Sequence, residues 1–200
     1  MRITVGKYGL LIGCLMFVGA TSAVAQQKSA SPAEHAVAQD KAPLAQIVAL
    51  DECDPTTFNA VLGPNFCLNV ALAPLGFATT FNDLFAKAAA GTPDPNWDFE
   101  PDVLNIKKGT TLVVVNQGGE PHTFTEVAKF GGGFIPPLNS GEEVVPECAG
   151  GFSNLAVAKT RILQGSESHI TDLSKGEHLF ECCIHPWMRV KVEVKGEGEK

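Results

Sequence analysis

The chain has 200 residues, enough for one domain with an extension or for two small domains. Hydrophobic residues make up 44% and charged residues 18%, which excludes a strongly disordered chain and leaves material for a buried core. A formal net charge of −7 sets the surface against nucleic acid and anionic lipid, and favours a basic partner or none.

At the N-terminus, Arg2 and Lys7 give a positive start and residues 8–20 are almost wholly apolar. Ala23-Val24-Ala25 then puts small residues where a signal peptidase reads them. Residues 1–25 are therefore read as a secretory signal cleaved before Gln26, and the protein as periplasmic or secreted. The apolar run is short of the roughly 20 residues that span a bilayer, so no membrane span is expected. Leu11-Ile12-Gly13-Cys14 offers a rival reading as a lipoprotein box, but the apolar run continues well past Cys14. Cleavage after Ala25 leaves 13 basic against 22 acidic residues, a net charge of −9. It also leaves five cysteines: Cys53, Cys67, Cys148, Cys182 and Cys183. An odd count in an exported chain points to one thiol with a separate task, and an oxidising compartment lets the other four pair.

Residues 26–50 are rich in Ala, Gln and Ser with little periodicity, and read as a flexible lead. Residues 51–93 read as partly helical: Phe81, Leu84, Phe85 and Ala88 fall at helical spacing. Thr80 is placed to cap that helix, and Gly91 with Pro93 to stop it. Cys53 and Cys67 flank a turn-prone stretch holding Pro55 and Pro64, and are expected to staple it. Residues 26–94 thus form a flexible and partly helical extension. Residues 95–200 change character to short strands. Residues 103–107 are β-prone and end at Lys108-Gly109; residues 111–115 are an apolar run of the buried-strand kind. Gln117-Gly118-Gly119 breaks it, and residues 122–127 follow. Residues 131–154, rich in Gly, Pro and Asn, read as a long loop before strands at 160–163, 177–182 and 188–194. Short strands separated by turns predict an all-β sandwich or barrel. No Gly-rich phosphate loop stands between a strand and a helix.

The chemistry is concentrated in Phe180-Glu181-Cys182-Cys183-Ile184-His185-Pro186-Trp187-Met188. A thiolate, an imidazole and a thioether within seven residues suit copper, or zinc. A trigonal His₂Cys set with a weak axial Met is the arrangement of electron-transfer copper, and a structural zinc wants four strong ligands, a role in which thioether is poor. Val190, Val192 and Val194 alternate with charged residues, and Met188 shares the valines' parity, so it is expected to face inward. Phe180 and Cys182 share one strand face; Glu181, expected outward, shares the other with Cys183. His185 is then expected at the rim of the connecting loop. His122, after the Gly-Gly turn and on one face with Phe124, fits best as the second imidazole. His178 shares the parity of Cys182 but lies two pleats away, about 13 Å. His169 reads as solvent-exposed, and His35 falls in the lead.

The pattern Cys-x-x-His-x-x-Met, with Pro and an aromatic after the His, resembles the copper loop of the cupredoxin (blue copper) family, of the plastocyanin and amicyanin type. Phe99-Glu100-Pro101, Lys108-Gly109, Asn116 and Pro121-His122 resemble the upstream half of that fold, and the match covers about half of the chain. The resemblance implies a Greek-key cupredoxin sandwich or barrel and one copper ion on His122, Cys182, His185 and Met188. It implies an electron carrier, not an enzyme, with His185 near the surface as the electron gate and Trp187 beside it. His122 would be the buried ligand, its second ring nitrogen held by an acceptor. The implied partner is a redox protein, a basic cytochrome or oxidoreductase. The alternative is periplasmic copper storage, delivery or sensing, with Cys183 as a transfer thiol. Cys183 has no counterpart in such loops and is left three roles: a disulfide with Cys148, competition for copper, or a second metal.

Overall fold

Ile47 and Ala49 are buried while Gln46 is exposed, the period-two signature that makes Leu44–Leu50 a strand, β1. The computed structural model describes residues 42–68 and 78–196. The expected signal peptide, the lipoprotein box at Cys14, most of the lead and His35 lie outside the described residues. The end of that lead is no flexible segment: β1 runs parallel to Thr111–Asn116 over six residue pairs.

Two short helices follow, α1 (Pro55–Leu62) and α2 (Phe81–Ala89). Asp54 accepts the N–H groups of Thr56 and Thr57 at the start of α1, and Thr80 accepts that of Asp83 in α2, so both caps satisfy otherwise orphaned donors. Phe58 and Leu84 bury against Trp97 and the sandwich. The strands then run β2 (Asp98–Glu100), β3 (Val103–Lys107), β4 (Thr111–Asn116), β5 (His122–Thr123) and β6 (Thr125–Val127). The long loop holds three 3₁₀ turns and ends in α3 (Leu155–Lys159). It leads to β7 (Arg161–Ile162), β8 (Glu167–Ile170), β9 (Gly176–Glu181) and β10 (Arg189–Lys195).

The strands make two open four-stranded sheets, ordered β2-β1-β4-β8 and β3-β10-β9-β6, with a small pair β5-β7. The fold class is all-β, a sandwich and not a closed barrel. β9 and β10 form an antiparallel hairpin that matches Arg189 with Glu181 and Val190 with Phe180, while β10 runs parallel to β3. Between the sheets lies one core containing Ile47, Leu112, Phe124, Phe180, Val190 and Val192. A second, smaller cluster gathers Val127, Val145, Cys148, Val157 and Cys183 beneath the long loop. That second cluster explains why Leu179 breaks the alternation of β9: it packs there, on the opposite face from Phe180. Disulfides join Cys53 to Cys67 and Cys148 to Cys183. The first is the expected staple. The second ties the long loop to the residue next to Cys182, so Cys183 is neither a free competitor for metal nor a transfer thiol. Among the described residues no helix is long and apolar enough to cross a membrane.

Candidate metal centre

Cys182 directly follows β9, His185 sits in the turn, and Met188 directly precedes β10. The turn is closed by its own backbone: Cys182 N–H donates to the Met188 carbonyl at 3.1 Å, and Met188 N–H to the His185 carbonyl at 3.0 Å. His122 arrives from β5, which pairs with β7. Its neighbour Thr123 locks the two segments together. The Thr123 N–H points at Cys182 Sγ at 3.4 Å, and the Thr123 hydroxyl accepts the Cys183 N–H at 2.7 Å.

The result is a triangle of donor atoms. Cys182 Sγ lies 3.8 Å from His122 Nδ1 and 3.9 Å from His185 Nδ1, and all three ligand atoms fall within 4.8 Å of one another. A metal bonded to sulfur at ~2.3 Å and to imidazole nitrogen at ~2.05 Å in a trigonal plane would hold those donors about 3.8 Å apart. The donor set therefore fits a first-row metal ion. Met188 is wholly buried beside the triangle in sequence, as its parity predicts.

Electrostatics prepare the sulfur. Burial alone would raise the Cys182 thiol, but hydrogen bonds and charge from His122 and His185 take it well below its ordinary value. For His122, burial opposes the charged ring, yet Asp51 and the Cys182 sulfur outweigh it and push the pKa up to about 10. The lowered thiol and the raised imidazole favour the thiolate, the form in which Cys182 would hold a metal cation.

The outer nitrogens of both imidazoles meet carboxylates. His122 Nε2 is 2.8 Å from Asp51 Oδ2, with both side chains fully buried. Asp51 also accepts the N–H groups of Gly119 at 2.9 Å and Glu120 at 3.0 Å. Gly118 and Gly119 permit this approach, because a Cβ on Gly118 would lie 1.9 Å from Asp51 Oδ2. His185 Nε2 is 3.4 Å from Glu120 Oε2, which also accepts the indole N–H of Trp97 at 2.8 Å.

No family model and no curated protein matches the chain. Among solved structures it is similar to a purple cupredoxin from Nitrosopumilus maritimus, at 16% identity and a TM-score of 0.38, over 76% of this chain and 99% of that one. It is also similar to a reduced amicyanin variant at 23% identity and a TM-score of 0.33, over 54% of this chain and 90% of that one. What the chain can bind follows from its own donor atoms.

The structure brings His122, Cys182 and His185 together and leaves the other described histidines elsewhere. His178 pairs with Glu126 at 2.6 Å, and His169 pairs with Glu167 in β8. Two expectations are corrected. His185 is not at a solvent-facing rim: it is 2% exposed, beneath a cavity walled by α1, α2 and the long loop, with Trp97 and Trp187 rings 6.2 and 5.5 Å away. Glu181 does not face outward; it is wholly buried, its carboxyl taking the Gly131 N–H under the long loop. Burial pushes its pKa up to about 7. Sequence reasoning missed Asp51, Glu120, Trp97 and Thr123. An acid two residues before His122 was a visible signal for Glu120, whereas Asp51 carries none until β1 is known to lie beside the Gly-Gly turn.

Proposed function

We propose that this chain is an exported type 1 copper protein that carries single electrons. One copper ion would be held by His122 Nδ1, Cys182 Sγ and His185 Nδ1, with Met188 as a weak fourth ligand, in one domain that runs from β1 to β10 and includes α1 and α2. The observation that carries the reading is the buried triangle of two imidazole nitrogens and one thiolate at 3.8 and 3.9 Å, the spacing a trigonal metal needs. Bound copper supplies a one-electron couple. The chain's own residues keep the donors in place, with Asp51 and Glu120 orienting the imidazoles from outside, Thr123 tying the Cys182 sulfur and the Cys183 backbone to β5, and the Cys182–Met188 backbone bond closing the turn.

Copper storage or delivery is less well supported. His122, Cys182, His185 and Met188 are each no more than 2% exposed, and Cys183 is occupied by its disulfide. Both disulfides fit an oxidising compartment and hence export, with the mature chain beginning at Gln26. The chain turns over no substrate of its own. A basic redox protein, a cytochrome or an oxidoreductase, is its partner, steered by the acidic surface. The test is the visible and EPR spectrum of residues 26–200 exported and loaded with copper. An intense thiolate-to-copper band that Cys182→Ser abolishes is expected; a colourless copper complex of the unaltered chain refutes the reading.

A further inference from the structure

Above His185 lies an apolar cavity of about 360 Å³, within the size range of small-molecule sites. Its walls are rings from two sources, Phe58, Phe66, Phe81 and Phe85 around the helices and Phe134 from the long loop. Among the described residues its polar lining is confined to Glu120 and His185. Glu120 is 2% exposed, and its Oε2 bridges Trp97 Nε1 at 2.8 Å and His185 Nε2 at 3.4 Å. At the rim Leu62 is 44% exposed and Phe152 38%, so the apolar lining continues to the surface.

We propose that this cavity binds an aromatic alcohol of one or two rings, its hydroxyl donating to the Glu120 carboxyl beside His185. The walls set the class. Aromatic rings stack edge-to-face or offset against an aromatic guest, and walls without hydroxyls, amides or cations offer nothing to a polyhydroxylated or multiply charged ligand. The floor selects the polar group. An anionic ligand would meet a buried carboxyl with no lysine or arginine among the described lining residues to receive it. A primary ammonium brings three donors to a floor with a single carboxyl, and buried donors left unpaired are costly. One hydroxyl, a single donor, matches.

The test uses the exported, copper-free chain, so its outcome is separate from that of the copper reading. Isothermal calorimetry with 2-naphthol should show one saturable site. Naphthalene, the same shape without the hydroxyl, should bind at least about tenfold more weakly, and 2-naphthoate should not bind. Glu120→Gln, which keeps an acceptor for Trp97, should lower 2-naphthol affinity about fivefold or more and leave naphthalene unchanged. Leu62→Trp, at an exposed rim position, should narrow the mouth and weaken both. The His185 ring resonances should move on addition of 2-naphthol. Absence of saturable uptake overturns the proposal. So does equal affinity for 2-naphthol and naphthalene, or ring shifts confined to other histidines. Occlusion of Leu62 and Phe152 by a protein partner without uptake of 2-naphthol overturns it equally.

Discussion

Asp51 stands outside the proposed coordination sphere, yet its carboxyl joins three parts of the structure. Oδ2 meets His122 Nε2 at 2.8 Å and the Glu120 N–H at 3.0 Å; Oδ1 takes the Gly119 N–H at 2.9 Å and the Cys53 N–H at 3.3 Å. Burial alone would raise its pKa, but the His122 hydrogen bond and charge together with the backbone donors lower it, so the carboxylate is the bound form. Asp51→Ala leaves several donors without a partner in a region closed to solvent. Each unsatisfied buried donor costs about 1–3 kcal/mol, and breaking a buried charged pair by removing one partner costs about 3–5 kcal/mol in total. A loss of about 4 kcal/mol is expected. Asp51→Asn keeps the shape but must turn its NH₂ toward one of the two donor pairs, and about 2 kcal/mol is expected. Urea unfolding of the copper-free chain measures both. Copper affinity by chelator competition should fall 10–100-fold, because the outer partner of a ligating imidazole fixes its orientation. If Asp51→Ala stays within about 1 kcal/mol of the unaltered chain and holds copper as tightly, the assignment of Asp51 as the anchor of His122 is wrong.

Other perturbations separate the remaining contacts. Cys183→Ser should keep the copper colour while costing roughly 4 kcal/mol by the chain-entropy account of a loop of 35 residues, seen as a lower urea midpoint. Gly118→Ala places a Cβ 1.9 Å from Asp51 Oδ2, so it should reproduce much of the Asp51→Ala phenotype, by about 2 kcal/mol or more, with lowered copper affinity. Asp94 is buried and its pKa is lowered: burial opposes this, but Lys87 at 2.6 Å and the Thr79 hydroxyl at 2.7 Å outweigh it. A carboxylate with a lowered folded pKa contributes stability above its unfolded pKa of about 3.9 and loses it as pH falls through the folded value. Asp94→Asn should therefore be less stable than the unaltered chain near pH 7, with the gap in urea midpoint narrowing below about pH 4.

The strands with clean alternation or an apolar run were legible: β4, β9 and β10 lie close to their expected places, and so does the His-Cys-His grouping. Thr80 caps α2 as read from sequence. What sequence could not show has physical causes. β1 looked like a lead because its outward residues, Leu44, Val48 and Leu50, are apolar too and blur the period. β8 is an edge strand written Glu-Ser-His-Ile, partly solvated on both faces, and its single apolar residue, Ile170, sets no hydrophobic period. Glu181 was expected outside because charge normally marks the solvated face. That rule failed because the long loop, fastened by Cys148–Cys183, lays a second apolar cluster over the outer face of β9. His185 was expected at the surface for a related reason: residues 51–93 were read as part of an extension, whereas Phe58 and Leu84 pack α1 and α2 into the core beside Trp97.

The burial of His185 changes what the frame has to do. An exposed ligand is oriented partly by water, which reorganises whenever charge at the site changes. Here the Nε2 edge of His185 faces Glu120, and that of His122 faces Asp51. Glu120 is itself held by the Trp97 indole, and Asp51 by backbone amides of the turn that carries His122. Both imidazoles are thus positioned by a carboxyl that is positioned in turn, one next to β1 and one in the turn before His122. On the proposed electron-carrier reading, such a frame would leave the imidazoles little freedom to relax when an electron arrives or leaves. On the same reading, an electron from a docked partner would cross protein, such as half-buried Trp187, rather than a water-exposed imidazole edge.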